Sequence, residues 1–275
     1  MEARSLSRTE AKVILSLEAD QAAEVSLNGI QDRAEVSRGF ARKLAHDLVQ
    51  KGWLQRIGKG RYLLNPSQHG PDVIPDTDPF RFGSRIVTPY YFGFATAAEL
   101  LGLLPQASRV YYIVTPRSGS SHWAHAARFR RVHVARRRFF GYRSFHRRAE
   151  TLLVSDLERT VLDCLNRPEF SGGLGGVVQI IESAAGRMDW GRLQRYLGRL
   201  GQRSLALRLG FLLELLGPRI RVPAGWLDRL RARPNEPFVP LGPPKEFGRR
   251  GVHDLRWHVI RNVPDRLLRA EVDLR

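Results

Sequence analysis

Arg38, Arg42, Lys43 and His46 sit along a stretch whose apolar residues keep a helical period, and Lys59 and Arg61 follow soon after. Cations in this arrangement bind nucleic acid: Lys holds phosphates, and the planar fork of Arg also reaches guanine O6 and N7. The segment that must position them runs from Ser37 to Leu64. Ser37 is a helix cap by type, since its hydroxyl can accept a free N–H of the first turn. Phe40, Leu44 and Leu48 recur at i, i+4 and i+8 beside Ala41, Ala45 and Val49, which predicts one apolar helix face and leaves the cations toward solvent. Gly52 stands where a left-handed residue closes a helix. Trp53, Leu54 and Ile57 then oppose Tyr62, Leu63 and Leu64 across Gly58-Lys59-Gly60-Arg61, which predicts a tight hairpin with a basic tip. A helix with basic residues near its start, followed by such a hairpin, outlines a winged helix-turn-helix.

Other chemistries find little support. Gly172-Gly173-Leu174-Gly175-Gly176 lacks the following Lys-Ser/Thr of a phosphate-binding loop. The His residues show no zinc spacing, and the single cysteine, Cys164, rules out an intramolecular disulfide and a Cys-rich metal site. Asp156, Glu158 and Asp163 could suggest a nuclease metal site, but the downstream Lys that many nucleases use is missing. Ser155-Asp156-Leu157-Glu158 also reads as a capping box, which would account for Ser155 and Glu158. No catalytic group and no cofactor is expected. The start of the chain is polar, and its longest apolar run, Leu209 to Leu216, is too short to span a bilayer. The expectation is therefore a reduced, cytoplasmic, nucleoid-associated protein with no membrane partner.

The chain has 275 residues, 43% of them hydrophobic, which is enough for two ordinary domains with real cores. Ser7-Arg8-Thr9-Glu10 is a capping box opening a helix with Val13, Ile14 and Leu17 inward, and Ser26 to Glu35 reads as a second helix. Helix, helix, turn, helix and hairpin fill residues 1–66. Residues 67–84 carry Pro71, Pro75 and Pro79 with three Asp and read as a linker. Residues 85–275 make the second domain. Its expected elements are a helix from Thr88-Pro89 through Leu101, and strands at Arg109 to Thr115, Phe129 to Val134, Phe139 to Phe145 and Thr151 to Val154. Helices follow at Val177 to Ala185, Trp190 to Leu200 and Ser204 to Leu216, and one late strand at Leu255 to Ile260. The fold class is α+β: an N-terminal winged helix-turn-helix followed by a larger mixed sheet-plus-helices domain.

Net charge is +18 with a pI near 11.1, which favours a polyanionic partner. Five of the 45 basic residues are Lys and the rest Arg. Residues 1–66 carry only +3, whereas residues 85–149 carry +11, with no acid between Glu99 and Glu150. Arg128, Arg130, Arg131, Arg136, Arg137, Arg138, Arg143, Arg147 and Arg148 alternate with Phe129, Phe139, Phe140, Tyr142 and Phe145. On strands this alternation gives one apolar and one cationic face. That face is either a second DNA-contacting surface or a solvated one.

Several blocks, in order, resemble the AbiEi-type antitoxins of type IV (abortive-infection) toxin–antitoxin pairs. They are ARKLAHDLVQKGWLQRIGKGRYLL, YYFGFATAAELLGL, VSDLERTVLDCLNRPEFSGG, RLGFLLELLG and DLRWHVIRNV, and together they span nearly the whole chain. The resemblance implies a winged helix that binds the promoter of its own operon, double-stranded operator DNA with inverted repeats. It also implies a C-terminal domain that opposes a nucleotidyltransferase-like toxin without a stable complex. Carried over by position, the DNA-contacting helix falls on Ser37 to Lys51 and the wing on Gly58 to Arg61. The DNA-binding candidates are thus Ser37, Arg38, Arg42, Lys43, His46, Lys59 and Arg61. Asp156, Glu158, Arg159, Thr160 and Asp163 match the family pattern with an architectural role. Two alternatives stay open: a winged-helix regulator whose second domain senses a ligand, and a metal-dependent nuclease using Asp156 and Glu158.

Overall fold

The computed structural model describes residues 5–67, 78–105, 110–119, 122–124, 127–147, 150–217, 219–231 and 233–269. The chain divides into two compact units, Met1–Thr88 and Pro89–Arg275. Helices and three separate sheets make it α+β.

In the first unit, α1 (Arg8–Ala19) opens on the expected capping box, in which Ser7 accepts from the Glu10 N–H and the Glu10 carboxylate accepts from the Ser7 N–H. Strand β1 (Glu24–Ser26) leads into α2 (Leu27–Ala34), capped by Ser26, and then α3 (Arg38–Gln50), capped by Ser37. The hairpin of β2 (Leu54–Gly58) and β3 (Arg61–Leu64) follows, with an irregularity between Arg56 and Gly58. Strand β1 pairs antiparallel with β3, so the hairpin belongs to a three-stranded sheet. Val13, Ile14, Leu17, Ile30, Ala41, Leu44, Ala45 and Leu48 form the core between the helices. Phe40 does not join it and is 46% exposed. At 100° per residue it falls at the rim of the face centred on Leu44 and Leu48, where nothing covers it.

Residues 68–77 lie outside the described residues, but α4 (Pro79–Ile86) belongs to the first unit and ends where a second domain was expected to have begun. Asp78 caps it and Pro79 takes the first turn, where a missing N–H costs nothing. Phe80, Phe82 and Ile86 are buried.

The second unit is built on a six-stranded mixed sheet in the order β6-β7-β5-β4-β9-β8. Its strands are β4 (Tyr91–Phe92), β5 (Val110–Thr115), β6 (His122–Ala124), β7 (Ala127–His133), β8 (Tyr142–Arg147) and β9 (Glu150–Ser155). Helix α5 (Phe94–Leu100) starts after Gly93, not at Thr88-Pro89, because Tyr91 and Phe92 are taken into the sheet between β5 and β9. Helices α6 (Leu157–Asn166), α7 (Gly173–Ala185), α8 (Trp190–Leu200) and α9 (Arg203–Leu215) share one core with Tyr91, Tyr112 and Val114 of the sheet. The glycine run is the first turn of α7, and Gly176 is there because a Cβ would meet the Ser171 carbonyl at 1.9 Å.

The tail forms β10 (Val239–Pro240), the short α10 (Pro244–Phe247), β11 (Val252–Asp254), β12 (Val259–Arg261) and α11 (Asp265–Arg269). The single strand expected at Leu255 to Ile260 is in fact the whole β11–β12 hairpin loop, residues 255–258, plus the first two residues of β12. Trp257 leaves the strand pattern because its ring is wholly buried, against the bare Cα of Gly210, and its indole N–H bonds the Glu214 carboxylate.

Candidate nucleic-acid interface

In the first unit, α3, the start of α2 and the hairpin enclose a groove of about 700 Å³. Its walls are Ser26, Leu27, Asn28, Arg38, Arg42, His46, Val49, Arg56, Lys59, Gly60 and Tyr62. Arg38, Arg42 and His46 stand one turn apart along α3, so their side chains form a single row. Opposite them, the hairpin tip is fixed to α2 by the Leu27 N–H, which donates to the Gly60 carbonyl at 2.8 Å. Gly60 has φ +65°, the left-handed value that lets a tight turn close. Lys59 is thereby held on the far wall. The lining contains three Arg or Lys side chains besides Arg42, one His and no acid. A concavity of this composition concentrates anions.

Of the residues expected to touch DNA, the groove brings together Arg38, Arg42, His46 and Lys59. Ser37 has another task, since its hydroxyl accepts the Phe40 N–H at 3.3 Å. Lys43 is exposed on α3 but outside the lining. Arg61 belongs to β3 and not to the turn; it pairs with Glu24 at 2.8 Å and donates to the Arg85 carbonyl at 3.1 Å. Arg56, Asn28 and Ser26 were missed. Arg56 is cross-strand partner to Tyr62, and both line the groove. Strand alternation alone could have flagged that pair. Ser26 and Asn28 arrive only because β1 pairs with β3, a contact between distant parts of the chain.

The first unit also holds an ion pair with a buried carboxylate. Lys51, at the end of α3, reaches Glu10 at 2.7 Å and 2.9 Å. Burial pushes the Glu10 carboxyl up, but the ammonium and the Ser7 cap outweigh it and leave it below the ordinary value.

The second basic segment has a different layout. Arg128, Arg130 and Arg131 lie on β7 and Arg143 and Arg147 on β8, with β5, β4 and β9 between them. Four strand spacings of about 4.8 Å separate the two groups by roughly 19 Å. Arg136, Arg137 and Arg138 form a 3-10 turn, not part of a strand, and Phe139 to Gly141 lie outside β8. Arg130 sits over the Phe170 ring at 4.3 Å. Arg148 lies outside the described residues.

The carboxylates that could have made a nuclease site are tied into the fold. Asp156, not Ser155, caps α6, accepting from the Arg159 N–H at 2.9 Å and from the Tyr196 hydroxyl at 2.7 Å. Ser155 remains the last residue of β9, its hydroxyl 2.7 Å from that of Thr160. Glu158 turns away from the cap to accept from the Asp189 N–H at 2.7 Å and from Arg192 at 3.3 Å. The buried Arg159 guanidinium donates to Asp163 at 2.9 Å and lies over the Phe140 ring. Burial and Asp156 push the Tyr196 hydroxyl up to about 12, and burial pushes the Cys164 thiol up, which keeps it un-ionised and unreactive. Among the described residues no group of three His, Cys, Asp or Glu could hold a metal ion, and no helix is long and apolar enough to cross a membrane.

Comparison with known proteins bears mainly on the second unit. Residues 91–215 match the family model described as the AbiEi antitoxin C-terminal domain. No curated protein sequence matches the chain. Among solved structures, the chain is similar to the crystal structure of the RV2827C protein from Mycobacterium tuberculosis. The TM-score is 0.68 at 18% identity, over 97% of this chain and 96% of that one. At that identity the likeness shows a shared fold spanning both units.

Proposed function

From the match of residues 91–215 to the model of the AbiEi antitoxin C-terminal domain, we propose that the chain is the antitoxin of a type IV toxin–antitoxin pair and represses its own operon by binding operator DNA. On this reading the first unit is a winged helix-turn-helix. Helices α2 and α3 form the helix-turn-helix, α3 enters the major groove, and the β2–β3 hairpin is the wing along the phosphates. The partner toxin is nucleotidyltransferase-like and is opposed without a stable complex. The chain then acts by binding at the nucleoid, not by catalysis.

The observation that carries the reading is the acid-free groove between α3 and the hairpin. Arg38 and Arg42 project from the first half of α3, the part of a recognition helix that reaches base edges, and Lys59 stands at the tip of the wing. Two copies on inverted half-sites would supply the symmetry of a palindromic operator.

The test is fluorescence anisotropy with the duplex upstream of the chain's own transcription unit. Arg42→Ala is expected to cost about 1–3 kcal/mol at the cognate site and to relax one base position. An equal loss on unrelated duplex would contradict base readout by Arg42.

A further inference from the structure

Tyr91, Phe139 and Tyr142 form an aromatic stack at the β8 edge of the large sheet. Tyr142 lies on Tyr91 with ring centroids 5.2 Å apart and planes 18° from parallel. Phe139 contacts both rings, at 5.2 Å and 5.0 Å. The lowest ring is held in place: Tyr91 is wholly buried, and its hydroxyl points to Asp163 at 3.5 Å. The uppermost ring is only partly covered: Tyr142 is 37% exposed.

A cationic turn adjoins this stack, the Phe139 N–H donating to the Arg136 carbonyl at 3.1 Å. Arg136 and Arg137, on the turn just before Phe139, are exposed, and neither has an acidic partner among the described residues; Arg143 follows Tyr142 on β8 and faces the other side of the sheet. On the neighbouring α8, Arg199 lies 3.9 Å over the ring of Phe140. The nearest carboxylates, Asp156 and Asp163, are buried and already bonded to Tyr196, Arg159 and Tyr91.

We infer that the Tyr142 ring, with Arg136 and Arg137 on the adjoining turn, is a binding platform for a single strand of nucleic acid. A rigid, half-exposed ring offers a flat π-face, and guanidinium groups beside it offer phosphate contacts. Only a strand with unstacked bases can use both, because the base faces of a duplex are already covered. The platform is therefore distinct in ligand from the groove of the first unit, whose helix and hairpin suit a duplex. It lies within residues 91–215, and it takes the charge of this segment without requiring the separated Arg residues of β7 and β8 to act together.

The experiment measures anisotropy of labelled single-stranded oligoribonucleotide, its deoxy counterpart and the same sequence as a duplex, using the full chain. Single strands are expected to bind, and whichever sugar is preferred identifies the source of the ligand. Tyr142→Ala, which leaves the charge unaltered, is expected to weaken single-strand binding about tenfold or more, and Tyr142→Phe to restore it. The exposed double variant Arg136→Gln with Arg137→Gln is expected to weaken it with a shallower salt dependence and no change in folding. Arg42→Ala, a groove variant, is expected to leave it intact, so this test can fail while the operator reading stands. Unchanged single-strand affinity in Tyr142→Ala, or wild-type duplex binding that is lost with Tyr142, would overturn the proposal.

Discussion

Helices α3 and α6 begin in the same way, on a side-chain cap with an Arg close behind, and do opposite things with charge. Both helices are capped by a side chain accepting an N–H three residues on, Ser37 in one and Asp156 in the other. Both carry an Arg near the start. Arg42 of α3 is exposed in a groove without acids, whereas Arg159 of α6 is buried between Asp163 and the Phe140 ring. The difference follows from what each helix packs against. Only one face of α3 is covered, so its cations remain in water and can meet a partner. Nearly every residue of α6 from Leu157 to Leu165 is buried, so each charge there had to find a partner inside the fold. Charge count alone does not reveal a binding surface; the packing of the helix that carries it decides.

The contrast makes substitutions in α6 costly for folding and substitutions in the groove costly only for binding. The largest expected effect is Arg159→Met, which leaves Asp163 buried without its counter-charge. It is expected to destabilise the chain by about 3–5 kcal/mol in urea unfolding. A loss below about 1 kcal/mol would show that the pair does not hold α6. Next is Gly141→Ala, at φ +74°, where a Cβ would stand 2.9 Å from the Arg159 Cβ. Strain at such a position is expected to cost about 1–3 kcal/mol, read in the same unfolding curves. Arg42→Ala should reverse the pattern: its loss of operator affinity comes with an unfolding midpoint within about 0.5 kcal/mol of wild type.

Smaller effects sharpen the same boundary. The Glu10 carboxyl is below its ordinary value in the folded chain, so the Glu10–Lys51 pair contributes fully above the unfolded value. That contribution is lost as pH falls through the lower, folded value. Stability of the first unit is thus expected to drop on acidification below the ordinary glutamate range, and Glu10→Gln to flatten that part of the profile. Smallest of all, Arg61→Ala is expected to change operator binding by less than about 0.5 kcal/mol, because Glu24 already neutralises Arg61. A loss as large as that of Arg42→Ala would return Arg61 to the interface.

Local signals in the sequence were legible and distant ones were not. The capping box of Ser7 and Glu10, the Ser37 cap and the whole of α8 (Trp190–Leu200) need only residues within one turn, and they stand where expected. Strand β1 is short, and its reason for existing is a pairing with β3, far along the chain. Helix α4 hides behind Pro79, which breaks a helix interior but starts one well. Ser155 and Glu158 fit a capping box by spacing, yet Asp156 wins because Ser155 is still paired in the sheet with Tyr142. In the groove, the row of Arg38, Arg42 and His46 was readable from helical spacing. Ser26, Asn28 and Arg56 required the folded hairpin.

The groove between α3 and the hairpin is proposed to grip a duplex. Its most direct test is the salt dependence of operator affinity, comparing wild type with the Arg38→Ala, Arg42→Ala, Lys59→Ala triple variant. Counterion release makes the slope of log K against log salt proportional to the phosphates neutralised, about 0.9 per contact. The triple variant is expected to show a slope shallower by at least one such contact together with loss of preference for the operator over unrelated duplex. Unchanged slope and unchanged preference would contradict it.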